Sequence, residues 1–167
     1  MICLYGYVPF WVLVNTLTLG TISKFYSYMV VKDQNDVGRK FKLKPNELSS
    51  ILFVLSIYRN ACAHDERLYN LKAINKNGRP NMIKSTPLHT SLVIPQDSSG
   101  NHKHGKNDLF SIVIIFKLVL SKTSFNRSFY AIKTEIEKLE KQLNTIEIGD
   151  VLLEMGFPKN WYAIKNI

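Results

Sequence analysis

An apolar stripe that runs into a cluster of polar residues is the strongest constraint on what this chain can become. Leu48, Ile51, Leu52, Leu55 and Cys62 follow the three-and-four spacing of one buried helical face, and the run leads into Tyr58 to Asn70, YRNACAHDERLYN. A helix with one apolar side has to bury it against other elements, so the spacing predicts packed helices. Asn46 after Pro45 supplies a start signal. On this helix Asn60 and His64 stack four residues apart on one face, with Arg59 beside them.

These residue types suit the cleavage of RNA. Arg59 offers a permanent charge on a planar fork of donors that matches a phosphate, and His64 can take or give a proton near neutral pH. The 2′-hydroxyl must lose a proton, the leaving oxygen must gain one, and the extra negative charge of the intermediate must be stabilised, none of which requires a metal. Arg59, Asn60 and His64 are therefore the candidate catalytic residues. Asp65, Arg67, Tyr69 and Asn70 are candidates for supporting or RNA-binding roles, and a carboxylate such as Asp65 or Glu66 beside the imidazole would fix its tautomer. A plainer reading stands next to this one. Cationic side chains are favoured at any helix C-terminus by the macrodipole and the unpaired carbonyls, so the pattern alone is not chemistry.

The RNACAH of Arg59 to His64 resembles the RNxxxH signature of the HEPN superfamily. Three pieces, VPFWVLVNTLTLGTISKFY from Val8 to Tyr26, the motif with its trailing DERLYN, and MGFPKNWYAI from Met155 to Ile164, together resemble the Abi-like family of abortive-infection proteins. The resemblance implies an all-α, HEPN-like helical bundle and a metal-independent endoribonuclease of a phage-defence or toxin system, with no cofactor. It also implies a cytoplasmic protein with RNA as partner, a homodimer that brings two motifs together, and a regulatory noncoding RNA or antitoxin. Members of the family are usually longer, so an N-terminal region is expected to be missing here. Because the superfamily includes inactive members, a non-catalytic RNA-binding module is the alternative.

The 167 residues are one domain's worth of chain, 1–167, and 46% hydrophobic residues argue against disorder. Cys3 and Cys62 have no metal-ligand spacing, and the periodicity puts Cys62 on the buried helical face, as a reduced thiol. It lies two residues from His64 on a helix and so points elsewhere, which removes a thiol–imidazole pair. The net charge of +9 fits a polyanionic partner, and residues 71–108, with six basic and two acidic side chains, carry +4 of it.

Met1 to Ser23 has no charged residue, which raises a membrane-associated reading, but Pro9, Asn15, Thr16, Thr18 and Gly20 dilute its hydropathy and no basic n-region precedes it. A buried amphipathic helix from Pro9 to Tyr28 is expected instead, followed by a solvated loop from Lys32 to Lys44. Residues 71–108 read as a long basic loop, with short strands at most, in which His89, His102 and His104 are exposed or face RNA. His102 and His104 lack carboxylate or cysteine partners, so no metal site is expected. LFSIVIIFKLVLS, Leu109 to Ser121, reads as a buried helix, and a further helix starts at Asn126 or Ser128 with a seam at Phe129, Ile132, Ile136, Leu139 and Leu143. Phe157 and Trp161 pack down the terminus. No internal repeat and no Gly-rich phosphate loop is visible.

Overall fold

The computed structural model describes residues 8–167. Cys3, Tyr5 and Tyr7 lie outside the described residues. The fold is all-α, as the spacing of the apolar residues predicts. Eight α-helices and one 3-10 turn are found among the described residues: α1 Phe10–Val14, α2 Leu19–Tyr28, α3 Val31–Lys40, α4 Pro45–Ala63, α5 Pro87–Ser91, α6 Leu109–Val119, α7 Lys122–Gln142, α8 Ile148–Glu154, and the turn Trp161–Lys165.

The helix expected from Pro9 to Tyr28 is two helices. Thr16 Oγ1 donates to the Leu13 carbonyl at 2.7 Å, and Thr18 Oγ1 accepts from the Thr21 amide at 3.1 Å. The first bond closes α1 and the second opens α2, because short hydroxyl side chains offer the backbone an alternative to its helical partners. The loop expected over Lys32–Lys44 contains α3. It has almost no apolar face, and its support comes from elsewhere: Asp33 in the first turn and Arg39 and Lys40 in the last complement the helix dipole. Gln34 Nε2 donates to the Tyr26 carbonyl at 3.0 Å while the Tyr26 hydroxyl donates to the Gln34 carbonyl at 3.0 Å, which clips α3 onto α2. Gly38 lets the chain fold back, since a Cβ there would stand 2.5 Å from the Leu43 carbonyl oxygen.

The axis of the bundle is α4 against α6. Pro45 occupies the first turn of α4, where its missing N–H costs nothing, and Glu47 Oε2 accepts from the Lys44 amide at 2.9 Å. Leu48, Ile51, Val54, Tyr58 and Ala61 are its buried apolar residues. Opposite them, Phe110, Ile114 and Ile115 of α6 are fully buried, joined in the same core by Phe125 and Phe129 of α7. The C-terminal segment closes this core as expected. Phe157 lies 4.9 Å from Phe110 and Trp161 5.4 Å from Phe129, ring centre to ring centre. Helix α7 starts four residues before Asn126, because Ser121 is the residue whose side chain accepts from the Ser124 amide.

The connector 71–108 departs most from expectation. It is an ordered layer that adds Ala73, Ile83, Leu88, Leu92 and Ile94 to the core. Its backbone is stitched to the approach to α6, with the Ala73 amide donating to Asn107 O at 2.7 Å and Ile83 to Lys106 O at 2.9 Å. His89 is buried rather than exposed. The Thr86 amide donates to its Nδ1 at 3.1 Å, so Nε2 carries the proton and donates to the Gly105 carbonyl at 2.9 Å. His102 is also buried, its Nδ1 3.1 Å from Ser85 Oγ, and His104 is half-buried. Two turns in this layer share one design. Asn75 Oδ1 accepts from the Asn77 and Arg79 amides, Asp97 Oδ1 accepts from those of Ser99 and Asn101, and each is closed by one antiparallel bridge, Ile74 to Pro80 and Gln96 to His102. Gly78 and Gly100, with φ of 72° and 76°, hold the left-handed corner of each.

Candidate functional site

Arg59, Asn60 and His64 occupy the last turn and C-cap of α4, and all three side chains are exposed. The turn is held from behind. Tyr58, buried beside Arg59, donates its hydroxyl to the Leu71 carbonyl at 2.5 Å and approaches the Asn107 carbonyl at 3.3 Å. Burial and the neighbouring Asp108 charge push the Tyr58 hydroxyl well above its ordinary pKa, so it remains a neutral tether. From the front, the helix is terminated by a change of hand. Asp65 sits at φ 51°, and the Glu66 amide returns to the Ala61 carbonyl at 2.9 Å. That is a Schellman-type closure with aspartate where glycine is usual.

Within this frame the contacts are few. Arg59 Nη1 lies 3.5 Å from Asn60 Oδ1, a long hydrogen bond that keeps the guanidinium on the surface of the turn. The Arg67 guanidinium stands 5.1 Å from the centre of the Tyr69 ring, a cation–π pair on the segment just after the helix. Asn70 is half-buried. The two pairs account for four of the seven sequence candidates. Among the described residues no hydrogen bond or ion pair joins the His64 ring to Asp65, Glu66 or any other side chain. Asp65 is explained by its backbone: its place in the chain is the left-handed C′ position.

Cys62, expected on the buried face, is exposed. The stripe follows Val54, Tyr58 and Ala61 rather than Leu55 and Cys62, and Ala61 is the residue of the last turn that meets the core.

One polar group behind the site has no place in the sequence reading. Asp108 is 1% exposed, caps α6 by accepting from the Ser111 amide at 3.1 Å, and takes the Gly105 amide on both oxygens at 3.0 and 2.9 Å. Burial pushes its carboxyl pKa up against the lowering effect of those amides. His104 Nδ1 stands 3.9 Å from it and lacks a hydrogen-bond partner. Gly156 packs so tightly on the carboxyl group that a Cβ would lie 2.3 Å from it. The signal was local: an aspartate just before an apolar helical run is a cap. It serves structure, since it joins the connector, α6 and the C-terminal segment behind Tyr58.

Among the described residues no group of three or more His, Cys, Asp or Glu side chains is arranged to hold a metal ion, and no described helix is long and apolar enough to cross a membrane.

No curated protein and no solved structure matches the chain. A family model described as Abi-like protein matches residues 4–70, which contain the first two of the three sequence pieces and stop at the end of DERLYN. Through this stretch, which closes on the exposed turn of Arg59, Asn60 and His64, the chain is similar to the Abi-like protein family.

Proposed function

We propose that this chain is a metal-independent endoribonuclease of an abortive-infection or toxin system, with Arg59, Asn60 and His64 as its catalytic residues. One observation carries the reading: a guanidinium, an amide and an imidazole gather on one solvent-facing turn, where the Tyr58 tether and the Asp65 reversal fix the backbone. His64 would take the proton of a 2′-hydroxyl, whose oxygen attacks the adjacent phosphorus. Arg59 would stabilise the charge on the phosphoryl oxygens. The 5′-oxygen would leave with a proton, giving a 2′,3′-cyclic phosphate and a 5′-hydroxyl. Two proton-transfer groups are required and each chain brings one motif histidine, so the active species is a homodimer in which the partner's His64 supplies the second.

The test is cleavage of a mixed RNA substrate in EDTA by the wild type, Arg59→Ala and His64→Ala, with analysis of the new ends. Loss of about 10²–10⁴-fold in rate in each variant, with cyclic phosphate ends in the wild type, is the expected result. Undiminished cleavage in both variants overturns it. A second reading, a non-catalytic RNA-binding module, draws on the lack of a carboxylate partner for His64. Salt-sensitive RNA binding without cleavage in the wild type favours that one.

A further inference from the structure

We propose that the corner between α6 and α7 is a phosphate-binding pocket, separate from the Arg59 turn. Lys117, Lys122 and Lys165 line a concavity of about 340 Å³ together with Phe125, Asn126 and Ile167. No acidic side chain lines it, and none of the three lysines forms an ion pair with a carboxylate among the described residues.

The ammoniums of Lys117 and Lys165 are positioned. Lys117 Nζ lies 4.8 Å from the centre of the Phe125 ring and donates to the Lys165 carbonyl at 3.4 Å. Lys165 Nζ donates to the Tyr130 hydroxyl and sits 4.6 Å from the centre of that ring. Lys122 opens α7, a helix of 21 residues with no acidic residue in its first turn. The Ser121 hydroxyl caps the Ser124 amide, while the Lys122 and Thr123 amides have no acceptor among the described residues. Two cations, Lys117 and Lys122, thus meet two free amides and the positive end of a long helix, with Lys165 at the border on Tyr130, an arrangement suited to an anion. The Lys117 ammonium titrates below its usual range, first because it is partly buried and then because Lys122 repels it. An anion in the pocket would offset the repulsion from Lys122.

The pocket is remote from the motif. Tyr58, beside Arg59, meets Asn107 just before α6, and Lys117 stands in the last turn of that 11-residue helix, about 12 Å along the axis from its first residue. The inference therefore stands without the ribonuclease reading. The phosphate could be free, or one link of an RNA strand, and the two sources are separable.

The experiment is an NMR titration of the full chain at low ionic strength with inorganic phosphate, then with a 2′-O-methyl oligoribonucleotide that cannot be cleaved. Saturable shifts confined to the amides of Ser121–Phe125 and Asn166 are expected, with affinity about tenfold weaker in Lys117→Gln and in Lys122→Gln but not in Lys76→Gln. If the oligomer displaces phosphate from these amides, the pocket holds an RNA link; if it leaves them unmoved, the ligand is a small phosphate. Shifts that are absent, spread over all surface lysines, or equal in the wild type and both pocket variants overturn the proposal. Lys122 is exposed, so its variant keeps the test valid if Lys117→Gln fails to fold.

Discussion

Asp65 separates structure from chemistry at the scale of single residues. A non-glycine residue at φ 51° costs about 1 kcal/mol, so Asp65→Gly should raise stability by about that amount in urea unfolding. If the carboxylate also serves His64, cleavage will fall while stability rises; if its work is only the turn, both measurements move up or stay level. His89 gives a second residue-scale expectation. Burial lowers its pKa, and the Thr86 amide aimed at Nδ1 leaves no room for a second proton. The folded state therefore binds fewer protons than the unfolded one, and stability should be lost as pH falls through the unfolded value, about 6.5. Thermal melts from pH 7.5 to 5 should show this loss in the wild type and a flatter profile in His89→Gln, which keeps a donor for Gly105. The sequence placed His89, His102 and His104 at the surface because a polar, basic stretch reads as solvated. What it does not display is a hydrogen-bond partner supplied by backbone 16 residues away.

Helices with a strong apolar period were the legible elements. Helix α4, α6 and the closing Phe157–Trp161 segment rest on spacing that survives in any packed fold. Helix α3 does not, because reciprocal bonds with Tyr26 and a close turn at Gly38 support it, and neither leaves a periodic trace. That origin makes a sharp prediction. In most exposed helices Gly→Ala stabilises by about 1 kcal/mol. At Gly38 the new methyl group meets a backbone oxygen at 2.5 Å, which cannot rotate away, so Gly38→Ala should destabilise by about 1–3 kcal/mol. Chemical denaturation monitored by far-UV circular dichroism decides the sign. The candidate site divides in the same way: Arg59, Asn60 and His64 were readable as a helix-end cluster, whereas the tether by Tyr58 and the carboxylate behind it depend on contacts across 49 residues of chain.

As a whole molecule, the domain turns its motif outward and keeps an apolar groove between α6, α7 and the Met155–Phe157 segment after α8, with Leu68 at its edge, where Ile112, Ile132, Ile136 and Leu139 meet over about 390 Å³. If catalysis needs two motifs, specific activity per chain should fall on dilution below the dimer dissociation constant, and activity should return when Arg59→Ala and His64→Ala chains are mixed only if one motif supplies the charge and the other the proton. Analytical ultracentrifugation over the same concentrations ties the rate to the oligomer.

The paired turns at residues 74–80 and 96–102 also have a practical consequence. Each is closed by its own side-chain cap, so the corner holds itself without help from whatever the tip carries. Gly78 and Gly100 are exposed, with nothing within 4 Å of an added Cβ. They are therefore natural points of entry for a reporter peptide or for new chain ends, through which this protein can be followed in a living cell while its helical core stays intact.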